Sequence, residues 1–158
     1  MKIGIGFDVH RFVAGKALII GGVRIPFEKG LLGHSDADVL THAIIDALLG
    51  AISEGDIGTL FPDSDPSYLG ISSMVLLEKT MKLVVRKGYC LENVDTIILA
   101  EKPKIGAFRM TIQEKLGKIM GLDPNEVSIK ATTTEKLGFV GREEGIAAHA
   151  VVLLTKKQ

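Results

Sequence analysis

Apolar residues alternate with polar or small ones near the start of the chain. Ile3, Ile5, Phe7 and Val9 occupy every second position, which predicts a β-strand over residues 2–10. Two short apolar segments flank a pair of glycines and predict a hairpin over residues 17–26. Runs rich in β-branched residues predict three more strands, at residues 94–100, 127–133 and 146–155.

Helical spacing of apolar residues predicts three helices. The first opens at Ser35, the expected cap, with Asp38 three residues later in a variant of the capping box. The others cover about 72–87 and 109–120, and a glycine follows each. Residues 30–33 are glycine-rich and predict a loop. This order predicts an α+β fold over residues 1–158, one domain with a single mixed or antiparallel β-sheet and helices packed on one face.

The amino-acid composition excludes several functional classes for this chain. The 158 residues include 19 basic and 19 acidic side chains, and a net charge of zero argues against binding nucleic acid through a basic field. The single cysteine, Cys90, forms no internal disulfide and indicates a reducing compartment. The first residues lack a signal-peptide pattern, and no apolar run could span a bilayer. We therefore expect a cytoplasmic protein that binds neither nucleic acid nor membrane.

Three side chains are candidate metal ligands. Asp8 and His10 lie two residues apart on the first strand, so they point to the same face. His42 shares a helical face with Asp38 and Asp46, either of which could orient its ring. Asp8, His10 and His42 together match a catalytic zinc site with an open fourth position. Taken separately, each group also fits an ordinary solvated strand end or helix face.

Two loops carry candidate phosphate- or metal-binding groups. Residues 130–136 contain three consecutive threonine hydroxyls, which can donate to phosphate oxygens, followed by Glu135, a candidate ligand for a divalent cation. A threonine-rich edge strand and turn is an equally good interpretation of that segment. Acidic residues between 54 and 65 fit a solvated loop as well as a binding site.

Several motifs, taken in order along nearly the whole chain, resemble the 2-C-methyl-D-erythritol 2,4-cyclodiphosphate synthase family. They are Asp8-Val9-His10, Gly33-His34-Ser35-Asp36-Ala37-Asp38-Val39, His42-Ala43, Gly55-Asp56-Ile57-Gly58, Leu60-Phe61-Pro62-Asp63 and Ala131-Thr132-Thr133-Thr134-Glu135-Lys136-Leu137-Gly138-Phe139. The resemblance implies an enzyme of the non-mevalonate isoprenoid pathway, a phosphorus–oxygen lyase. It would convert 4-diphosphocytidyl-2-C-methyl-D-erythritol 2-phosphate into the cyclic 2,4-diphosphate and CMP.

The resemblance also implies metals, an assembly and residue roles. Asp8, His10 and His42 would bind zinc, and Glu135 would bind Mg²⁺ or Mn²⁺. Family members are homotrimers with active sites between subunits and a central cavity that can take an isoprenoid diphosphate. The remaining implied site residues are His34 and Ser35 at a substrate phosphate; Asp56, Gly58 and Asp63 at the methylerythritol part; Ala100, Lys104, Ile105, Ala131, Thr132 and Thr133 at the cytidine diphosphate; and Phe139 and Arg142 at the central cavity.

Three positions depart from the family pattern. Glu101 replaces a common glutamine, Gly106 replaces a bulkier residue, and His149 replaces an acid that can pair with the cavity arginine. Two other functions remain open on the sequence alone. One is a zinc-dependent phosphohydrolase that uses the same three ligands, and the other is a non-catalytic trimer that binds a nucleotide or an isoprenoid diphosphate.

Overall fold

The computed structural model describes residues 1–157. Four strands come first and three helices follow, after which strands and helices alternate, with strands at both ends of the described part. Short 3₁₀ turns cover Pro66–Tyr68, Gly106–Phe108 and Pro124–Glu126. The elements are β1 (Lys2–Ala14), β2 (Leu18–Ile20), β3 (Val23–Ile25), β4 (Lys29–Leu31), α1 (Val39–Ala51), α2 (Ile57–Leu60), α3 (Ser73–Arg86), β5 (Tyr89–Leu99), α4 (Arg109–Met120), β6 (Val127–Thr132), α5 (Gly138–Gly141) and β7 (Gly145–Lys156).

A mixed five-stranded sheet has the order β4-β1-β7-β5-β6. β5 and β6 are parallel, and the other neighbouring pairs are antiparallel. The predicted α+β class and the mixed sheet are therefore confirmed. The prediction of a single sheet is wrong, because β2 and β3 pair only with each other in a separate two-stranded sheet. Each strand is three residues long, and their hairpin turns at two glycines with positive φ.

The first helix begins later than the sequence predicted. Asp38, not Ser35, is its N-cap, and the Asp38 side chain accepts the backbone N–H of Thr41 at 3.1 Å. Ala37 has a φ of 58°, which is incompatible with a helix that starts at Ser35. The capping-box interpretation was therefore wrong. Residues 34–37 form a loop, so their side chains can take part in the candidate active site.

The other two predicted helices are confirmed nearly to the residue. Ser72 caps α3 by accepting the N–H of Met74, and Gly121 ends α4 in the left-handed conformation with a φ of 70°. No helix within residues 1–157 is long and apolar enough to cross a membrane. Three elements were not predicted, β4, α2 and α5, because three or four residues are too few to show a period. β4 lies in the segment predicted to be a loop.

Close packing of α1 on β1 brings the candidate ligands together. A Cβ atom at Gly4 or Gly6 would overlap the carbonyl oxygens of Ala47 and Ala43, so only glycine allows this approach. The helix packs against the glycine side of the strand, while Ile3 and the other apolar residues at odd positions remain exposed on the opposite side. The helix carrying His42 is thereby held directly over the strand that carries Asp8 and His10.

Candidate active site

Three predicted metal ligands converge between β1 and α1. Asp8 Oδ2 lies 2.9 Å from His10 Nε2 and 3.1 Å from His42 Nδ1. The two ring nitrogens are 3.1 Å apart. Ligand atoms of a tetrahedral zinc ion, at about 2.0–2.2 Å from the metal, are separated by about 3.4 Å. The spacing of these three atoms therefore fits a divalent metal with little movement of the side chains.

Hydrogen bonding fixes the orientation of the His10 ring. Its Nδ1 lies 2.8 Å from the carbonyl oxygen of Leu32, just after β4. A carbonyl only accepts, so Nδ1 carries the proton and the Nε2 lone pair faces Asp8 and His42. This backbone contact is typical of metal-bound histidines and leaves Nε2 free for a metal.

The electrostatics of the three side chains are coupled. Burial alone would raise the pKa of Asp8, but hydrogen bonds from His10 and His42 outweigh it and lower that pKa from 3.8 to about 2. Burial opposes the charged form of His10, yet its bond to the Asp8 carboxylate raises the His10 pKa above 6.5. Asp8 is thus ionised at neutral pH, as a metal ligand must be.

Asp38 and Asp46 do not orient the His42 ring, contrary to the sequence hypothesis. The Asp38 carboxylate is fully buried and accepts the N–H groups of Gly21 and Gly22 at the hairpin turn. Asp46 accepts the N–H of Ile57 at 2.7 Å, which holds the start of α2. Both carboxylates anchor neighbouring segments, because the capping geometry and the packing of α2 turn them away from the ring.

A cavity of about 220 Å³ opens beside the three ligands. Seven of the predicted site residues line it: Asp8, His10, His34, Ser35, His42, Gly58 and Asp63. His34 Nε2 is buried without a hydrogen-bond partner in the described chain, so a donor or acceptor is available there for a ligand. Asp56 lies next to the cavity without lining it, since its side chain caps α2 through the N–H of Thr59 at 2.8 Å.

A second cavity, of about 560 Å³, lies at the ends of β5 and β6. It gathers the six residues predicted for the cytidine diphosphate: Ala100, Lys104, Ile105, Ala131, Thr132 and Thr133. None of its lining residues lines the first cavity. Glu135 follows on an exposed loop, with its Oε1 3.1 Å from the Thr133 hydroxyl. Within the described chain the two cavities are therefore separate.

Comparison with known proteins agrees with this geometry. A model of the YgbB family matches residues 1–155. The chain belongs to the YgbB family. A curated relative, the 2-C-methyl-D-erythritol 2,4-cyclodiphosphate synthase of Desulfitobacterium hafniense, is 56% identical over 156 residues, covering 99% of each chain. The resemblance noted in the sequence is confirmed.

Two solved structures have the same fold as this YgbB-family chain. The CDP complex of IspF from Plasmodium falciparum is 36% identical, with a TM-score of 0.88 over 99% of this chain and 97% of that one. The bifunctional IspDF from Campylobacter jejuni is 42% identical, with a TM-score of 0.95 over 98% of this chain. The present chain spans only 42% of that bifunctional protein.

The predicted cavity residues Phe139 and Arg142 lie outside both pockets of this YgbB-family chain. The Arg142 guanidinium pairs with Glu144, with Nε 2.9 Å and a terminal nitrogen 3.3 Å from its carboxylate oxygens. His149, on β7, packs instead against Phe7, with 4.7 Å between ring centroids. Arg142 thus has an acidic partner, Glu144, two residues further along the chain. It has this partner although His149 replaces the acid with which the family's arginine can pair.

Sequence reasoning missed three polar residues that support the site. Ser73 contacts the far side of His42, Asp36 contacts Ser73, and Glu101 contacts the loop that carries Glu135. Ser73 directly follows the helix cap Ser72, so the sequence signal was that of a helix start. For Glu101 the signal was its departure from the family pattern, which identified the position without indicating its contacts.

Proposed function

We propose that this chain is a 2-C-methyl-D-erythritol 2,4-cyclodiphosphate synthase. It converts 4-diphosphocytidyl-2-C-methyl-D-erythritol 2-phosphate into the cyclic 2,4-diphosphate and CMP, as a phosphorus–oxygen lyase of the non-mevalonate pathway. One observation carries the proposal: Asp8, His10 and His42 present three ligand atoms to a common point at the edge of a 220 Å³ cavity. The full-length similarity to enzymes of that name supports it, and residues 1–158 constitute the one synthase domain.

Two cations complete the proposed site. Zinc is held by Asp8, His10 and His42, because two imidazoles and a carboxylate in tetrahedral spacing suit that ion. Glu135, next to the Thr133 hydroxyl, holds Mg²⁺ or Mn²⁺ together with diphosphate oxygens. When bound, the two cations reduce the repulsion between the reacting phosphates and stabilise charge in the transition state.

The reaction requires no nucleophile from the protein. An oxygen of the substrate's 2-phosphate forms a bond to the β-phosphorus, and the bond from that phosphorus to the bridging oxygen breaks, so CMP departs with that oxygen. A phosphate monoester is largely dianionic at neutral pH, since its second pKa is about 6. The protein therefore contributes alignment, and an aligned intramolecular reaction can gain about 7–11 kcal/mol over a bimolecular one.

Specific side chains supply that alignment. The half-buried His34 ring and the Ser35 hydroxyl contact a substrate phosphate from the first cavity. Asp56, Gly58 and Asp63 hold the methylerythritol hydroxyls beside them. In the second cavity the cytidine diphosphate is bound by Ala100, Lys104, Ile105, Ala131, Thr132 and Thr133, among which Lys104 and the threonine hydroxyls donate to phosphate oxygens.

A homotrimer would bring the metal cavity of one subunit next to the cytidine cavity of another. The side of the main sheet opposite α1 is apolar and exposed, with Ile3 73%, Ile5 71% and Phe7 49% accessible. A single chain with so much exposed apolar sheet surface favours self-association. In this arrangement the metal cavity of one subunit faces the cytidine cavity of the next. A central cavity would take an isoprenoid diphosphate at Phe139 and Arg142 only if Arg142 leaves Glu144.

The decisive experiment separates cyclisation from hydrolysis. The purified protein is incubated with the cytidylyl substrate and zinc plus Mg²⁺ in ¹⁸O-enriched water. We expect CMP and cyclic diphosphate, neither of which contains solvent oxygen, because the nucleophile is within the substrate. Incorporation of ¹⁸O into a product would identify a zinc-dependent phosphohydrolase. Binding of cytidine nucleotides without turnover would identify a non-catalytic binding protein.

A further inference from the structure

We propose that Ser73 and Asp36 are positioning residues that orient the metal ligand His42 through a hydrogen-bonded relay. The inference rests on the metal site of the proposed function. It concerns the side of the His42 ring opposite that site. On that side Nε2 faces the hydroxyls of Ser73 and Ser35, whereas the sequence had offered Asp38 or Asp46 as the orienting group.

The relay begins at His42 Nε2. The Nδ1 atom of the same ring faces Asp8 and His10, so it needs a free lone pair to bind a metal. In a neutral imidazole the proton then belongs to Nε2. Nε2 lies 2.8 Å from the hydroxyl oxygen of Ser73, a residue with no exposed surface.

The Ser73 hydroxyl can accept from His42 because its own proton is directed elsewhere. Its oxygen makes a short contact with Asp36 Oδ1, and an ionised carboxylate can only accept. The direction of the relay is therefore fixed: His42 Nε2–H donates to Ser73, and Ser73 O–H donates to Asp36. This arrangement disfavours a proton on His42 Nδ1, the atom that must bind the metal.

Asp36 is itself held in place on several sides. Its Oδ2 accepts the backbone N–H of Ser73 at 3.0 Å, and its Oδ1 accepts the N–H of Asp38 at 3.3 Å. Its own N–H donates to the Ile71 carbonyl at 3.1 Å. A carboxylate at the first residue of α3 also satisfies an N–H group that has no partner within the helix. The relay thus ends on a rigid acceptor.

Ser35 is the alternative partner for His42, and it is the weaker one. Its hydroxyl oxygen lies 3.1 Å from Nε2, which is longer than the Ser73 contact. The Ser35 oxygen already accepts the N–H of Ala37 at 3.3 Å, and no carboxylate within residues 1–157 accepts a hydrogen bond from its hydroxyl. Ser35 also lines the cavity, where the proposed function assigns it to a substrate phosphate. Ser73 is therefore the residue that fixes the ring.

The test measures zinc affinity by competition with a chromogenic chelator, which is independent of turnover. Substitution of Ser73→Ala removes the acceptor, and we expect a loss of about 10–100-fold in zinc affinity, the usual effect of removing an outer partner of a metal ligand. Ser72→Ala is the matched control. Ser72 caps the same helix without touching His42, so this variant should lose thermal stability and keep wild-type zinc affinity.

A spectroscopic readout separates ring orientation from general loosening of the loop. In ¹⁵N NMR spectra of the zinc-loaded protein we expect the signal of a hydrogen-bonded His42 Nε2–H, and we expect it to move towards the position of an unbonded N–H in Ser73→Ala. Asp36→Asn keeps an oxygen acceptor and removes the charge, so it should weaken zinc binding less than Ser73→Ala. If Ser73→Ala does not fold, Asp36→Asn decides: zinc affinity below that of the wild type supports the relay, and wild-type affinity overturns it.

The outcomes distinguish the two proposals. A wild-type protein that binds no zinc overturns the metal site, and with it the relay. A wild-type protein that binds zinc, together with a folded Ser73→Ala variant whose zinc affinity and His42 Nε2–H signal are unchanged, overturns the relay alone. Equal losses in Ser72→Ala and Ser73→Ala would also overturn it, because the effect would then come from the start of the helix.

Discussion

The buried carboxylate of Glu101 forms an ion pair with Lys136, with 3.1 Å between Oε2 and Nζ. Its Oε1 accepts the backbone N–H groups of Lys136 at 3.1 Å and Thr134 at 3.2 Å. The bond from the Lys136 N–H is the largest cause of a lowered Glu101 pKa. One side chain therefore holds the backbone on both sides of Glu135, whose φ of 52° lies in the left-handed region.

This arrangement predicts that Glu101→Gln and Glu101→Ala differ. The glutamine amide oxygen can still accept both N–H groups, whereas alanine leaves the loop without either bond. We expect Glu101→Gln to stay near the wild-type rate and Glu101→Ala to weaken the apparent Mg²⁺ affinity by about tenfold or more. Rates measured across a Mg²⁺ titration test this, with zinc content as the control that should not change. Identical behaviour of the two variants would show that acceptance of the N–H groups does not matter.

Zinc binding should depend on pH through His10. Its pKa is raised above 6.5 in the metal-free chain, because the Asp8 carboxylate outweighs the effect of burial. A protonated ring cannot bind a metal, so protons compete with zinc. As the pH falls from about 8 to about 6, we expect zinc affinity to decrease, and the decrease should begin above pH 6.5. Calorimetry in buffers of different ionisation enthalpy should detect proton release, and an affinity that is constant over this range would contradict the argument.

Much of the fold follows from local signals in the sequence. Ser72 and Gly121 predicted helix ends that the structure confirms, since a cap and a left-handed glycine act within one turn. β4 and α5 were missed because such short elements are stabilised by their neighbours rather than by their own residues. Ser35 was assigned as a cap because its spacing to Asp38 resembles one, whereas in the fold it lines the cavity beside the candidate metal ligands.

The candidate metal ligands could be predicted from the sequence, and the polar residues on the far side of His42 could not. Asp8 and His10 share a strand face by the period of two, His42 was the candidate on the first helix, and the family motifs contain all three. Ser73 and Asp36 are 37 residues apart, and no local period connects them. Their contact depends on how α3 packs beside the loop after β4. Such partnerships arise from tertiary structure and become visible only in coordinates.

The approach of α1 to β1 predicts opposite effects for two glycine-to-alanine substitutions. A Cβ at Gly6 would overlap the carbonyl oxygen of Ala43, so Gly6→Ala should destabilise the fold by at least about 1–3 kcal/mol. Gly50 lies on the exposed side of α1, and its nearest neighbour to a new Cβ is the Ile5 oxygen at 3.9 Å. Gly50→Ala should therefore stabilise by up to about 1 kcal/mol. Chemical denaturation measures both, and destabilisation of equal size would refute the packing argument.

The exposed apolar side of the sheet predicts the effect of a charge placed there. Ile5 is 71% accessible on β1, and in the proposed trimer this position is covered by neighbouring subunits. Ile5→Lys should dissociate the trimer, because burial of an unpaired ammonium is unfavourable. Light scattering should give three times the mass of one chain for the wild type and a smaller assembly for the variant. Val85→Lys, at an exposed position of α3, is the control that should remain assembled.

Removal of one ligand at each proposed metal site should separate the two cations. His42→Ala leaves only Asp8 and His10, so zinc should be lost and turnover abolished. Glu135 lies on an exposed loop beside the other cavity, where its carboxylate contacts the Thr133 hydroxyl. Glu135→Ala should therefore keep stoichiometric zinc and lose turnover, most strongly at limiting Mg²⁺. Metal analysis and CMP release measure these effects. Stoichiometric zinc in an active His42→Ala protein would refute the ligand assignment, and a normal rate of Glu135→Ala at limiting Mg²⁺ would refute the role of Glu135.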